Sequence, residues 1–517
     1  MSTDELIKVL KQQLEIANKQ NSELLIKIDN MQAQLEKLLR QLYGRKSEQL
    51  PQDKDKGKDK NKKDDDNSSN QSSGGNTTKN NKSGSKPKDK PKRNKLPDSL
   101  ARDTIYYDLP EDEKHCKDCG LQKDRIGEEI TEQLEFIPAS LFVKELVRYK
   151  YKCACCIETV SMPAQPIDKG IPGPGLLADV IISKYEDSTP LYRQNQRFMR
   201  QNNIDIPEST LCDWVTAGAF WLEPIVIAMK EDLLKSIKIH TDDTTVPVLA
   251  KGKTRIGRLW VYLTDGARLD GKYIEQIGIS NNSININKCT IYEYTPTRSG
   301  IWPFNFLAGF KGFLQADAYA GYDKVFEIEQ VVEVACIAHA RRHFFDIAKA
   351  AKGLSLAHDA IDQIGLLYKV EQQCKNMSAF ARCRYRKKHS KPILKELYRW
   401  LKKQLKILVP NTPIIKAVNY MLNHWRALCN YLSNGYLDID NNKGERAMRR
   451  VAIGRKNWMF AGSDEGGKRT AIIYSILETC KQNDINPFEY LKDLFTRLPN
   501  AKQSDIKSLL PYNWQPV

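Results

Sequence analysis

The stretch DIDNNKGERAMRRVAIGRKNWMFAGSDEGG, residues 438–467, combines one acid at a predicted helix start with a surplus of cations. The polar residues 440–442 predict a capping turn, and the ERAMRR run behind them predicts a helix that carries Glu445 in its first turn. From Asp438 to Thr470 there are eight Lys and Arg against five Asp and Glu. A carboxylate among cations suits a site where a metal ion meets a polyanion, but a surface helix with ordinary ion pairs gives the same pattern.

Length and composition limit the classes of protein to which the chain can belong. Its 517 residues predict three or four domains, and a hydrophobic fraction of 41% is enough to build their cores. The mean hydropathy is −0.55, and no apolar run approaches the roughly 18 to 20 residues of a spanning helix, which argues against a membrane protein. The opening MSTDELIKVLKQQ lacks the pattern of a secretory signal. A net charge of +17 favours nucleic acid as a partner, so we expect a cytoplasmic protein that associates with the nucleoid.

Residues 1–43 carry the most regular hydrophobic pattern in the chain. Apolar residues alternate at spacings of three and four from Ile7 to Leu42, which predicts a coiled coil and hence a homodimer or a larger assembly. Asn21 occupies a seam position, where a polar side chain favours two helices in register. A single amphipathic helix is the alternative. Residues 44–95 are predicted to be a disordered linker, because most of this segment contains no aliphatic or aromatic side chain.

Two CxxC pairs predict a zinc-binding domain over residues 96–165. The ligands of this structural Zn²⁺ would be Cys116, Cys119, Cys153 and Cys156. Four thiolates in two tight turns match a closed tetrahedral site, and such a site contributes folding energy to a small unit. The alternating residues between the two pairs predict a β-hairpin. Unrelated buried thiols are the alternative interpretation of the four cysteines.

The next region, residues 170–230, is predicted to be a helical DNA-binding region. Two amphipathic segments, the second being LYRQNQRFMRQN, are followed by the turn NNID and by a further helix start at IPEST. A short turn between helices is typical of a helix-turn-helix DNA reader. Any small helical bundle would show the same pattern, so the sequence leaves both interpretations open.

From residue 236 the pattern changes to strands that end in acids. SIKIHTDDTTVPVLA predicts a buried strand that reaches Asp242 and Asp243, and FKGFLQADAYAGYD places Asp317 at the end of another. Two acids at strand ends, with Glu445 on a late helix, suit a two-metal site for phosphoryl transfer. Clustered carboxylates repel one another, so they stay ionised only when bound cations offset their charge. Any one of these acids by itself is more often an ordinary strand-end or capping carboxylate.

Several phrases of the chain resemble the DDE transposases of the insertion-sequence 66 family. They are HTDDTTVPVL, LQADAYAGYD, AHARRHFF, the stretch quoted first and ILETCKQNDINPFEYL, and their order agrees from about Leu96 to Leu494. The resemblance implies an RNase H-like core whose catalytic and metal-binding triad is Asp242, Asp317 and Glu445. It also implies Mg²⁺ or Mn²⁺ at that triad, terminal inverted repeats and target DNA as substrates, and small accessory proteins of the same element as partners.

Together these inferences predict a multidomain α+β protein with a coiled coil, a zinc-ribbon-like unit, a helix-turn-helix-like region and an RNase H-like α/β core that has a helical insertion. The core would occupy residues 236–350 and 433–495, the insertion 351–432, and a C-terminal tail 496–517. The family usually has Asp-Glu where this chain has Asp242-Asp243. The sequence therefore leaves open which of these two acids binds metal.

Basic residues after Glu445 are predicted to contact DNA phosphates, namely Arg446, Arg449, Arg455 and Lys456. Solvated surface cations are the alternative. His339 and His343 lie four residues apart on a predicted helix, and support of the active site by His339 is favoured over a zinc site. The predicted function is a transposase that cleaves element ends and joins the 3′-hydroxyl ends to target DNA. A non-catalytic DNA-binding protein and an RNase H-like nuclease without strand transfer are the alternatives.

Overall fold

The computed structural model describes residues 141–146, 150–152, 157–159, 163–168, 170–266, 287–328, 330–351, 353 and 355–516. From residue 143 onwards these residues belong to one compact unit. Within them the fold is rich in helices and contains a mixed sheet of five strands, which confirms the predicted α/β core with helical regions. The predicted coiled coil at 1–43, the predicted linker at 44–95 and the four cysteines of the predicted zinc site lie outside the described residues.

A short hairpin and three helices precede the sheet. Strands β1 (Lys150–Lys152) and β2 (Ile157–Thr159) pair antiparallel, and in sequence the second CxxC pair falls between them. The helices are α1 (Pro174–Tyr185), α2 (Leu191–Asn202) and α3 (Glu208–Leu233). Asn203 caps the end of α2, and its left-handed φ of 55° turns the chain within the NNID segment. α1 crosses α3 closely at Gly218, because a Cβ there would lie 2.5 Å from Ile181 Cδ1.

The central sheet is built from β3 (Lys238–Ala250), β4 (Lys253–Asp265), β5 (Lys288–Thr295), β6 (Gly312–Ala316) and β7 (Val331–Ala335). Helix α4 (Ile301–Phe306) connects β5 to β6, and α5 (Asp323–Phe326) connects β6 to β7. The strand order is β5-β4-β3-β6-β7. β3, β4 and β5 are antiparallel neighbours, whereas β6 pairs parallel with both β3 and β7. β3, β6 and β7 therefore run in the same direction, and the carboxyl end of β6 lies beside the residues of β3 that follow His240.

The remaining helices follow β7 in two groups. The first group is α6 (Ile337–Ala350), α7 (Leu356–Cys374), α8 (Ala379–Ile407), α9 (Pro413–Asn423) and α10 (Trp425–Cys429), of which the last four occupy the range of the predicted insertion. The second group is α11 (Asn442–Trp458), α12 (Asp464–Gln482) and α13 (Pro487–Arg497). Short 3-10 segments lie at Ala320–Tyr322, Asn430–Leu432, Leu498–Asn500, Gln503–Leu509 and Pro511–Asn513.

Two packing regions connect these helices to the sheet. A buried core joins α6 to α7, α8 and α9 through Phe344, Ile364, Leu397, Leu401 and Val418. The second packing region is at β5, where the hydroxyls of Ser475 and Thr479 in α12 accept hydrogen bonds from backbone N–H groups of the strand. By length and composition alone, α3 is the one helix among the described residues that would span a membrane, but it packs here against α12 and β5.

Candidate active site

Asp242 lies in β3, and Asp317 directly follows the neighbouring parallel strand β6. His240 of β3 pairs with Gln315 of β6, and extending this register by two residues places Asp242 opposite Asp317, the residue that follows β6. Glu445 lies in the first turn of α11. The carboxylates of Asp317 and Glu445 both lie close enough to Asp242 to influence its ionisation. The structure thus brings together three acids that are far apart in sequence.

The carboxyl group of Asp242 is in surroundings that disfavour its charge. Burial, together with the nearby carboxylates of Asp317, Asp243 and Glu445, raises its pKa from 3.8 to about 7. The backbone N–H of Asp243 opposes this shift by donating a 2.8 Å hydrogen bond to Asp242 Oδ1. Clustered carboxylates take up protons unless a cation offsets their charge. Oxygen donors are the ligands that hard divalent cations such as Mg²⁺ and Mn²⁺ prefer, so the three acids fit such an ion.

The neighbouring Asp243 is already neutralised by two arginines. Arg258 Nη1 donates to its Oδ2 at 2.9 Å, and Arg298 donates to its Oδ1 through Nε at 3.1 Å and through Nη2 at 2.8 Å. The Asp243 side chain is only 3% exposed. Because fixed cations occupy both of its oxygens, this geometry favours Asp242 over Asp243 as the acid that would hold a metal ion.

Substitutions of these two neighbours are expected to change stability in opposite directions. Asp242→Asn should raise the free energy of unfolding of the metal-free protein at pH 8 by about 1–3 kcal/mol, because it removes a charge that the folded state disfavours. Asp243→Asn should lower that free energy by about 1–3 kcal/mol, because Arg258 and Arg298 lose their carboxylate. Urea unfolding in EDTA measures both changes. A loss of stability in both variants would contradict the assignment.

The loop before α11 is hydrogen-bonded to β6, to β3 and to the residue that follows β7. Gln315 of β6 donates to the carbonyl oxygens of Asp438 and Asp440 at 2.6 and 2.9 Å. Asn441 donates through Nδ2 to the carbonyl of Thr241 at 2.7 Å, and its backbone N–H donates to Cys336 Sγ at 3.1 Å. These bonds place the first turn of α11, and with it Glu445, over β3 and β6. They give the DIDNN segment a physical role that its sequence alone did not show.

A buried ionic network surrounds the same loop. The Asp438 carboxylate lies within hydrogen-bonding distance of Lys238 Nζ at 3.0 Å, Lys443 Nζ at 2.8 Å and His240 Nε2 at 3.1 Å. Both lysines also bond to Asp265, and Lys238 is only 1% exposed. Burial opposes ionisation of Asp438, but Lys238, His240 and Lys443 outweigh it and hold its pKa well below 3.8. Two ammonium groups already lie between the two carboxylates, so this cluster does not fit a metal ion.

Helix α6 presents a histidine and an arginine to Glu445. His339 Nε2 lies 3.6 Å from Glu445 Oε1, and Arg342 Nη2 lies 4.0 Å from Oε2. Cys336, His339 and Glu445 lie near enough to one another to hold a metal. Cys336 is fully buried, however, and its Sγ already accepts the hydrogen bond from the backbone N–H of Asn441. The His343 ring contacts the Tyr420 ring, with centroids 4.5 Å apart and the ring planes tilted by 50°.

Sequence comparisons identify the family to which these features belong. Residues 169–469, more than half of the chain, match the model of the Transposase IS66 family, and residues 475–512 match the IS66 C-terminal element. The chain belongs to the IS66 family of transposases. Residues 113–156, which contain both CxxC pairs, match the zinc-finger binding domain of transposase IS66. Residues 30–105 match the model described as Transposase C of IS166 homeodomain.

Relatives of this IS66 transposase occur in Sinorhizobium fredii. The chain is 32% identical over 444 residues to Uncharacterized protein y4hP, an alignment that covers 82% of this chain and 77% of the relative. It is 30% identical over 433 residues to Uncharacterized protein y4jD, with 81% of each chain covered. The likeness therefore extends well beyond any one motif.

The cations predicted to contact DNA differ in their surroundings. Arg446, Arg449 and Lys456 are exposed on α11. Arg455 is half-buried, and its Nη1 donates to the hydroxyls of Thr244 and Thr245 at 3.3 and 2.9 Å. One nitrogen of Arg455 therefore fastens α11 to β3 in this IS66 transposase, while the three exposed cations remain predicted phosphate contacts.

Several residues of the site were not found from the sequence. The arginines that neutralise Asp243 lie in β4 and after β5, and no local pattern connects them with that acid. Lys238 gave a usable signal, because a lysine in the apolar run SIKIH needs a buried partner. A cleft of about 380 Å³ beside Glu445 was also not predicted from the sequence, because its walls come from separate helices. It is lined by Ala338, Arg341, Arg342, Phe345, Gly365, Tyr368, Asn442 and Glu445.

Proposed function

We propose that this IS66 transposase cleaves the ends of its element and joins the freed 3′-hydroxyl groups to target DNA. The observation that carries the proposal is the meeting of the Asp242, Asp317 and Glu445 carboxylates above β3 and β6. The order of the sheet, with three antiparallel strands followed by two parallel ones, supports an RNase H-like core. Such a cluster of acids suits phosphoryl transfer without a covalent protein intermediate.

The same three acids would hold divalent cations, Mg²⁺ or Mn²⁺. Support comes from the raised pKa of Asp242, which is caused first by burial and then by the neighbouring carboxylates of Asp317, Asp243 and Glu445. When bound, such ions lower the pKa of the attacking water or hydroxyl and stabilise the charge on the leaving oxygen. The chain then needs no separate general base at this site.

Residues around the acids would position them and the DNA. His339 and Arg342 approach Glu445 from α6, so they restrict the orientation of its carboxylate. The exposed Arg446 and Arg449 follow Glu445 on the same helix, where they would hold phosphates of the strand to be cut. The cleft beside Glu445 has two arginines and two aromatic rings in its lining, which suits a nucleotide next to the scissile phosphate.

Regions before the core would assemble the complex. The match of residues 113–156 to a zinc-finger model supports a structural Zn²⁺ at Cys116, Cys119, Cys153 and Cys156. The helices α1, α2 and α3 would contribute to binding of the terminal inverted repeats. Residues 1–43 would pair at least two protomers, and small accessory proteins of the element would complete the assembly.

Reaction of a labelled duplex tests the proposal. The duplex carries an element end and its flanking sequence, and it is incubated with the full-length protein, target DNA and either Mg²⁺ or EDTA. We expect cut strands and joined products only with Mg²⁺. Cut strands without joined products would favour the nuclease. Binding without any cutting, also after the accessory proteins are added, would favour the DNA-binding protein.

Divalent cations are expected to stabilise the protein in a pH-dependent manner. Because the folded-state pKa of Asp242 is raised, the stability contributed by its proton is fully present below pH 3.8 and is lost as the pH rises to about 7. A bound cation offsets this loss, so saturating Mg²⁺ should raise the melting temperature by roughly 2–5 °C at pH 8 and by much less at pH 5. Differential scanning fluorimetry with and without Mg²⁺ measures the shift, and Glu445→Gln should reduce it. An equal shift at both pH values would contradict the assignment.

A further inference from the structure

Helix α8 carries a straight row of cations along its exposed face. The row, here called the α8 basic row, consists of Arg384, Lys388, Lys391, Lys395, Arg399, Lys402 and Lys406. All seven side chains are exposed. Their spacings of 4, 3, 4, 4, 3 and 4 residues keep them on one side of an α-helix, because residues three and four apart are surface neighbours. From the first to the last, the row extends for about 33 Å at the helical rise per residue.

The opposite face of α8 fixes the orientation of this row. Leu394, Leu397 and Leu401 are buried in the core shared with α7 and α9. Arg386 is also buried and forms a two-bond ion pair with Glu371 of α7. The helix therefore cannot rotate to hide its basic side. Its neighbour α7 is in turn bonded to the loop before Glu445, because Tyr368 donates to Asp440 at 3.3 Å.

An ordinary solvated helix face does not account for this composition. α8 contains eleven Lys and Arg but only one acid, Glu396. Solvated faces usually alternate charge, because opposite charges three or four apart attract and like charges repel. None of the seven cations in the row forms a salt bridge with an acidic residue in the part of the chain that the structure describes. The row is therefore an uncompensated line of positive charge, which is favourable mainly when a polyanion lies along it.

We propose that the α8 basic row binds the phosphate backbone of the double-stranded DNA next to the reacting end. The proposal rests on the proposed function, because the DNA that reaches Glu445 is the polyanion that the core must hold. The length of the row matches about one turn of B-DNA, roughly 34–36 Å. Because these side chains would contact phosphates and not base edges, this contact is independent of base sequence. The helices of the insertion thereby form a second DNA surface beside the residues near Glu445.

The salt dependence of DNA binding tests this surface. The variant replaces Lys388, Lys391, Lys395 and Arg399 with Gln in the full-length protein, and binding of an end-containing duplex is measured in EDTA from about 50 to 200 mM KCl. Removing one phosphate contact makes the slope of log K against log salt shallower by about 0.9. For four such contacts, the affinity of the wild type should fall about a hundredfold more over this range than that of the variant. The single variant Lys391→Gln should give about a quarter of the change in slope.

A matched control separates a local contact from net charge. Replacing the exposed Lys481, Lys492, Lys502 and Lys507 with Gln changes the net charge by the same amount on another part of the surface. We expect the control to keep nearly the wild-type slope. Equal slopes for the row variant and the control would overturn the proposal. Wild-type protein that binds DNA but never cleaves it would instead count against the proposed function. The binding comparison between the row variant and the control would still test the α8 basic row, because binding is measured without divalent metal.

Discussion

Glu445→Gln is expected to lower the rates of end cleavage and strand joining by roughly three orders of magnitude or more. The reason is that loss of a metal-binding carboxylate removes several kcal/mol of charge stabilisation from the transition state, at about tenfold in rate per 1.4 kcal/mol. The fold should be kept, because the Glu445 side chain is 30% exposed and approaches His339 and Arg342 only at 3.6 and 4.0 Å. Single-turnover cleavage of labelled end DNA in Mg²⁺ measures the effect.

The control for this variant is Glu465→Gln. Glu465 lies in the first turn of α12, is exposed, and pairs with Lys468 of its own helix at 2.7 Å. Its replacement should leave cleavage within about twofold of wild type, since an exposed pair contributes little. DNA binding by both variants should match that of the wild type. Cleavage by Glu445→Gln within about tenfold of wild type would remove Glu445 from the proposed triad.

Asp438→Asn is expected to lower the free energy of unfolding by about 3–5 kcal/mol, because it removes the shared partner of a buried lysine. Lys238 is 1% exposed, and in the variant it keeps only Asp265 as an anionic partner. The variant should also cleave DNA more slowly at temperatures where it is folded, because the loop that places Glu445 is no longer bonded through this carboxylate to Lys238, His240 and Lys443. Urea unfolding and single-turnover cleavage measure the two effects.

The pH dependence of this effect has a defined sign. The pKa of Asp438 is held well below 3.8, so the stability that its charge contributes is present above that pH and is lost as the pH falls below it. The difference between wild type and Asp438→Asn should therefore be largest near neutral pH and should shrink towards about pH 3. Asp213→Asn, at an exposed position of α3, is the matched control and should change stability by less than about 0.5 kcal/mol. A small loss for Asp438→Asn, equal to that of the control, would show that the network adds no stability.

Local pattern was sufficient to predict a helix before the sheet and the elements that hold or precede the three acids. The run LYRQNQRFMRQN was predicted to be a helix, and α2 covers the same residues, Leu191–Asn202. The apolar runs before Asp242 and Asp317 predicted strands, which are β3 and β6. The prediction that the first of these strands ends at Asp242 and Asp243 was wrong, because β3 stays paired with β4 as far as Ala250. The turn before Glu445 predicted a helix start, and α11 begins at Asn442. Hydrophobic periodicity and capping residues act over a few neighbouring positions, so the sequence states them directly.

The partners of the buried charges could not be obtained in this way. Asp243 is neutralised by Arg258 and Arg298, which become its neighbours only when β3 pairs with β4 and the segment after β5 folds over them. Arg455 looked like a DNA contact, whereas one of its nitrogens bonds to β3. The sequence of α8 contains eleven Lys and Arg, but only the packing of its leucines shows which of these cations are exposed.

By itself the sequence showed three candidate acids, two CxxC pairs and a surplus of cations, and its motifs pointed to the IS66 transposases. The tertiary structure decided that the arginines bond to Asp243 and not to Asp242, and it decided how the loop before Glu445 is held. Lys238 and Asp438 lie 200 residues apart yet form one ionic contact. Burial of a charge requires a partner nearby in space, and nearness in space depends on the order of strands rather than on the order of residues.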